Sequence, residues 1–201
     1  MTRAYDSTTK RAELIRAAKE LFHQQGFHKT TLDNVAKKAS VPLGNVHYYF
    51  ETKQALAEAV IASHSQGLRE AFAFWESSTD PLERLTHLIR APLGAVESVI
   101  RFGCPHGSLC QELEKLEDDS PLIKAGASLL LAYIDWAHNQ LQLLGFHSET
   151  ARDLAEQLVA AIQGTMLLAH TLRSPELLAR QLSRVEAWLK FEVASLQRSP
   201  A

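Results

Sequence analysis

Residues 31–56, TLDNVAKKASVPLGNVHYYFETKQAL, constrain this chain more than any other stretch. Thr30 and Thr31 both suit a helix N-cap, and Asp33 falls in the first turn, where a carboxylate meets the positive end of the helix dipole. Leu32, Val35, Ala36 and Ala39 then share one face at helical spacing. Ser40-Val41-Pro42 ends that helix, because a residue before proline avoids the helical region. Leu43 to Phe50 reads as a second short helix. Two short helices across so tight a break form either a helix-turn-helix, whose second helix enters a DNA major groove, or an ordinary helical hairpin.

The residue types on the second helix favour the first reading. Asn45, His47, Tyr48 and Tyr49 are polar or amphipathic groups with little reason to crowd on a core element. Asparagine bonds a base edge in two places, and tyrosine hydroxyls and lysine donate to phosphates. Gly44 leaves room for another surface to approach the backbone closely. Thr52 caps the next helix, and Lys53 at its start joins a cation to free N–H groups, a pairing that suits a phosphate.

The block resembles the DNA-binding head of TetR-family transcriptional repressors, which usually read A-G-V-S-x-G-T-L-Y-x-[HY]-F-x-[ST]-K-x-x-L. The corresponding run here is Ala39 to Leu56, ASVPLGNVHYYFETKQAL. It departs at Ser40, Pro42 and Asn45, where Gly, Ser and Thr are commoner, and at His47, where Tyr is usual. A V-P-x-G-N variant is itself familiar within the family, and a histidine still donates to a phosphate. The likeness extends upstream to Leu14–Gly26 and covers about the first quarter of the chain. It implies an all-α fold: a three-helix head over residues 1–53, and a helical effector-binding and dimerisation body over residues 54–201. The implied DNA contacts are Thr31, Pro42, Leu43, Gly44, Asn45, His47, Tyr48, Tyr49 and Lys53. The implied partners are double-stranded DNA with a near-palindromic operator, a second copy of the chain and a small-molecule effector.

Charge distribution agrees with that division. Residues 1–53 carry nine Lys/Arg against five Asp/Glu, whereas the remainder carries twelve against eighteen. A basic head on an acidic body suits a DNA reader with a non-DNA second part. The first 30 residues lack a continuous apolar core, so no secretory leader is expected. No apolar run reaches membrane-spanning length, and two cysteines imply no disulfide framework; the chain reads as cytoplasmic.

Beyond the head the pattern is helical almost throughout. Asp80-Pro81, Ser120-Pro121 and Ser174-Pro175 each set a capping side chain before a proline at the first helical position. Gly26 and Gly145, each followed by Phe, suit glycine C-caps. Helices are expected near 8–25, 31–39, 43–49, 53–77, 81–101, 106–117, 121–144, 149–172 and 175–197, the fifth kinked or split at Ala91-Pro92 and Gly94. Residues 1–7 and 198–201 are expected to fray.

The last two long helices carry apolar stripes that face either this chain's own core or a partner. Helix 149–172 is apolar over more than one face, which argues for burial on several sides. By resemblance the partner is a second copy, through a four-helix bundle. The expected interface is Leu158, Ile162, Thr165 and Leu168 with Leu182, Val185 and Leu189.

The body offers no reaction chemistry of its own: it lacks a nucleophile elbow, a glycine-rich phosphate loop and an HExxH run, so no enzyme is expected. None of the nine histidines sits in an i, i+4 pair or a zinc-like cluster, so neither metal nor cofactor is expected. His138 and His170 suit satisfied core or pocket groups better than ligands. Body aromatics read either as core or as the wall of a ligand cavity. Trp75, Phe102, Cys104, His106, Tyr133, Trp136, Met166 and His170 form the expected wall. Cys104 precedes Pro105 at a helix start, where the dipole raises thiol reactivity. It reads either as a small buried apolar residue or, as in some TetR-type regulators, as a sensor of oxidants or electrophiles. Three classes stay open at this level: an effector-responsive repressor, a DNA-binding dimer without effector, and an all-α enzyme that has kept a helix-turn-helix.

Overall fold

A computed structural model of the chain describes residues 2–116 and 120–196, with side chains from residue 9 onward. The elements are α1 (Thr2–Gln25), α2 (Leu32–Lys38), α3 (Leu43–Tyr49), α4 (Lys53–Trp75) and α5 (Pro81–Arg90). A 3-10 turn, Ala91–Ala95, follows. Then come α6 (Val96–Phe102), α7 (Pro105–Leu113), α8 (Pro121–Leu143), α9 (Ser148–Thr171) and α10 (Pro175–Leu196). No strand occurs among the described residues. The fold is all-α, and the proline and glycine at 92 and 94 split the fifth expected helix into α5, the 3-10 turn and α6. Helix α1 starts at Thr2, ahead of the expected residue 8, and α7 stops at Leu113. Residue 117, expected to end that helix, and residues 1 and 198–201, expected to fray, lie outside the described residues.

Local chemistry sets the helix ends. Thr31 accepts from the Asn34 N–H while the Asn34 side chain accepts from the Thr31 N–H, a reciprocal cap that starts α2. At the other end the Ser40 N–H donates to the Lys37 carbonyl and the Val41 N–H to the Ala36 carbonyl. This is a Schellman closure, with Ser40 at φ 56°. Pro42 then stands at the N-cap of α3. Thr52 Oγ1 accepts from the Ala55 N–H at 3.0 Å, Asp80 from the Leu82 N–H at 2.9 Å, and Ser174 from the Leu177 N–H at 3.1 Å. These side chains satisfy donors that a helix start otherwise leaves open.

The helices gather into two compact units, Met1–Gly67 with Pro105–Leu129, and Leu68–Cys104 with Leu130–Ala201. Helices α4 and α8 each contribute to both. This grouping differs from the division after residue 53 expected from sequence. Helix α7 packs on α1, and α8 closes on α7 where Gly126 faces the Leu113 and Cys110 of α7. Those contacts join segments far apart in the chain, which periodicity does not reveal.

In the first unit the apolar faces of α1 to α4 bury Leu14, Ala18, Phe22, Phe27, Val35, Val46, Leu56 and Val60. Phe22 and Phe27 meet edge to face at 5.3 Å. Thr30 is buried yet satisfied, its hydroxyl donating to the Gly26 carbonyl at 2.8 Å.

The second unit is built around one apolar core drawn from α5, α6, α8, α9 and α10. Arg90 grips Glu186 with two hydrogen bonds, 2.8 and 3.0 Å, and Lys190 adds a third at 2.7 Å. The Lys190 and Arg90 hydrogen bonds hold the Glu186 carboxyl below its ordinary range.

This core corrects the expected interface between copies. Leu158, Ile162, Thr165, Leu182 and Leu189 are buried within the single chain, and Val185 is half-buried against the same core. The reason is the breadth of the stripe: α9 packs on both α6 and α10, and Leu158 and Ile162 of α9 share one core with Leu182 and Leu189 of α10. Of the expected set only Leu168 is well exposed, at 52 %. It sits beside Leu167 (54 %), and α10 presents Phe191 (62 %) outward.

Candidate nucleic-acid interface and ligand site

Helix α3 is a short element of about two turns, pinned by its inner face. Val46 is fully buried, and Phe50 beyond the C-terminus is nearly so. The opposite side is bare: Pro42, Leu43, Gly44, His47 and Tyr48 are all exposed, Tyr48 at 80 %. A Cβ built on Gly44 would meet nothing within 4 Å, so nothing inside the chain requires a glycine there. Tyr48 and Tyr49 lie edge to face at 5.0 Å, which orders the outer ring. Asn45 and Tyr49, also expected to meet DNA, are half-buried on the flanks of the inner face, and Thr31 is exposed at the cap of α2. The outward set is thus narrower than the expected one: Asn45 and Tyr49 are partly covered, whereas Pro42, Leu43, Gly44, His47 and Tyr48 are not.

Lys53 has an internal task that sequence did not reveal. Its Nζ donates to the carbonyls of Phe27 at 3.2 Å and His28 at 3.3 Å, and lies 4.4 Å from the centre of the Phe27 ring. Partial burial lowers the Lys53 pKa, and Glu112 opposes that fall. An ammonium carries three donors, so one remains beyond the two carbonyls. The same turn is held from α7: the His28 N–H donates to Glu112 Oε2 at 3.2 Å, and the His28 ring meets the Glu112 carbonyl at 2.9 Å. A hydrogen bond from Lys115 is the main reason the Glu112 carboxyl sits below its ordinary range.

In the second unit the structure brings together Trp75, Tyr133 and Trp136 with Phe72, an aromatic that sequence had not singled out for the site. Phe72 stacks on Trp136 at 4.9 Å and 10°, Trp75 tilts against Trp136 at 5.3 Å, and Tyr133 meets Phe72 edge-on at 5.8 Å. The Trp136 indole N–H donates to Glu76 Oε1 at 2.8 Å. Burial pushes the Tyr133 hydroxyl upward in pKa, and the nearby Cys104 adds to the shift. Neither Cys104 nor Cys110 is part of a disulfide, and Cys110 donates to the Gly126 carbonyl at 3.1 Å.

Other members of the expected wall serve elsewhere. Met166 is buried in the core. His170 Nδ1 bonds the Ile100 carbonyl at 3.1 Å, and with Arg173 it closes the end of α6. Phe102 carries the Arg101 guanidinium over its ring at 5.0 Å. His106 belongs to the first unit, bonded to His64 rather than to the aromatic cluster. The signal that misled is residue type: a histidine near an aromatic-rich stretch reads as a pocket group until its partner is known.

A helix-turn-helix with its second helix bare, in an otherwise all-helical chain, is the architecture of a DNA-binding transcriptional regulator. The chain belongs to the TetR family. Residues 14–60 match the model of bacterial regulatory proteins of the tetR family, and residues 81–183 match the C-terminal domain of LmrA/YxaF-like transcriptional regulators. Among similar proteins, the transcriptional regulator AcuR of Cereibacter sphaeroides is 33% identical over 119 residues, 58% of this chain and 54% of AcuR. The transcriptional regulator LmrA of Bacillus subtilis is 27% identical over 172 residues, 82% of this chain and 88% of LmrA. A crystal structure of the regulatory protein TetR from Rhodobacter sphaeroides superposes with a TM-score of 0.75 at 26% identity, covering 88% of this chain and 96% of that one. No described helix is long and apolar enough to cross a membrane.

Proposed function

We propose that this regulator is a cytoplasmic homodimeric repressor that reads a near-palindromic operator with residues 1–53 and is released by a small molecule held in residues 54–201. The observation that carries the DNA reading is the bare outer face of α3, with Gly44 opening onto empty space. Leu43, Gly44, His47 and Tyr48 lie against the groove, Thr31 and Lys53 meet phosphates, and Asn45 and Tyr49 act from the flanks. Selection of tight-binding duplexes from a random pool, followed by salt titration, tests it. The expected outcome is a two-fold-symmetric consensus with a steep salt slope; binding that ignores sequence would overturn it.

The second copy docks on the outer stripe of α9 and α10, where Gly164, Leu167, Leu168 and Phe191 are left uncovered by the chain's own core. The effector is apolar or weakly polar and lies against the cluster of Trp75, Tyr133 and Trp136, with the Tyr133 hydroxyl and Glu76 as its polar partners. Quenching of Trp75 and Trp136 fluorescence by a compound that also releases DNA is the expected result. A second reading rests on Cys104, a cysteine outside any disulfide, immediately ahead of α7 and beside Tyr133. If release needs an oxidant or electrophile and vanishes in Cys104→Ser, the thiol is the sensor and the aromatic cluster is core.

A further inference from the structure

The first unit contains a pair of imidazoles that the DNA reading does not use. His64 on α4 and His106 on α7 face each other nose to nose, with His106 Nε2 3.0 Å from His64 Nδ1. The ring planes cross at 87° with centroids 4.6 Å apart. His106 is buried at 9 % exposure and His64 is half-buried. Two imidazoles joined nitrogen to nitrogen share a single proton along the bond: one ring donates and the other offers its lone pair. A single imidazolium still donates to the other ring's lone pair; the bond is lost once both rings are cations and both facing nitrogens are donors. The charges bearing on the pair come from α1, Lys19 and His23, and both oppose an added proton.

From this geometry we propose that His64 and His106 form a proton-sensitive latch that fastens α7 to α4 and that opens when the surroundings acidify. The latch has a mechanical outlet. Six residues beyond His106, Glu112 braces the turn between α1 and α2 by accepting the His28 N–H, and it lies against Gly26. Opening the pair loosens α7, frees that turn and so loosens the mount of α2 and α3. The effect on DNA rests on α3 as the DNA-facing helix; the latch itself does not.

The direction of the pH effect follows from the two arrangements. In the closed pair, burial first and neighbouring positive charge second lower the His64 pKa to about 3 and the His106 pKa to about 4, from 6.5. Once α7 lifts away, each ring returns to about 6.5. The closed arrangement is therefore fully favoured above pH 6.5 and loses ground as pH falls from 6.5 toward 4. With both rings released, the opening equilibrium grows roughly 100-fold between pH 7.5 and 5.5.

Hydrogen exchange on the full chain, corrected for the intrinsic pH dependence of exchange, reads this directly. The α7 amides are expected to lose protection on the order of 10- to 100-fold between pH 7.5 and 5.5. The double variant His64→Asn, His106→Gln keeps an acceptor facing a donor without a titrating group, and its α7 should hold its protection. An equal loss in variant and wild type overturns the latch. A second measurement needs no variant: NMR titration of the imidazoles in the wild type. Both rings should take up protons together at one midpoint below 6.5. Independent titration near 6.5, with α7 protection unmoved, refutes it. Zinc chloride at one equivalent is a control; tightening of α7 that depends on both histidines would make the pair a metal site instead. None of these readouts involves DNA, so failure of the latch is distinguishable from failure of the operator-binding reading.

Discussion

At position 44 a glycine costs helix stability and gains nothing inside the chain, since its missing Cβ would touch no neighbour. Gly44→Ala should therefore stabilise the fold by about 0.5–1 kcal/mol in urea unfolding. Gly44→Leu should fold as well, yet bind operator DNA at least roughly tenfold more weakly, because the bulk lands where the groove wall approaches. Undiminished binding by the leucine variant would place the DNA elsewhere. Ser40 and Lys53 show the reverse relation. Ser40 holds φ 56°, where a side chain is strained and glycine is not. Lys53 cross-ties the carbonyls of Phe27 and His28 over an aromatic face. Lys53→Met should lower stability by about 1–2 kcal/mol and also flatten the salt slope of DNA binding by about one unit. A flattened slope with unchanged stability would mean that the internal bonds contribute nothing. The capping threonines, the Pro42 break and the outward tyrosine were legible residue by residue, because each acts within a few positions of itself. The internal task of Lys53 was not, since the carbonyls it ties belong to the turn between α1 and α2, far from it in the chain.

Among the elements, α9 and α10 separate two kinds of apolar residue that look alike in a linear pattern. Leu189 is buried in the chain's own core, whereas Leu168 is exposed beside Leu167. Leu189→Arg should thus unfold the second unit, seen as lost helicity by circular dichroism. Leu168→Arg should stay folded and sediment as a monomer, provided that the outer stripe is the interface. An intact Leu168→Arg dimer would move the interface off α9. Gly164 refines the test: a Cβ there meets nothing within 4 Å in the single chain. Gly164→Ala should make the isolated helix more favourable by about 1 kcal/mol, yet weaken association if a partner helix crosses there. The breadth of the apolar stripe on α9 was visible in sequence; which strip of it remains uncovered was not, because that depends on where α6 and α10 settle.

At the scale of the whole molecule, α4 is the continuous element that starts with Lys53 and reaches Phe72 and Trp75. If an effector beside Trp75 and Trp136 favours one arrangement of this helix, it alters the spacing of two DNA-reading heads that must match one turn of DNA, roughly 34–36 Å, or a multiple of it. Coupling of about 1–3 kcal/mol is expected, and DNA must then weaken the effector by the same factor. Calorimetric titration of effector with and without duplex checks that reciprocity; equal affinities would exclude the route through α4.

The chain's order of helices, its basic first quarter and the site of its helix-turn-helix were set by information local in sequence: periodicity, caps, a proline and a charge bias. Such signals work because helical hydrogen bonds and caps span no more than about four residues. Tertiary structure alone decided that α7 docks with α1 and α4, that His106 meets His64, and that five leucine-stripe positions face inward. Each of those facts pairs residues tens of positions apart. Burial and nitrogen-to-nitrogen contact, rather than residue type, give them their chemistry.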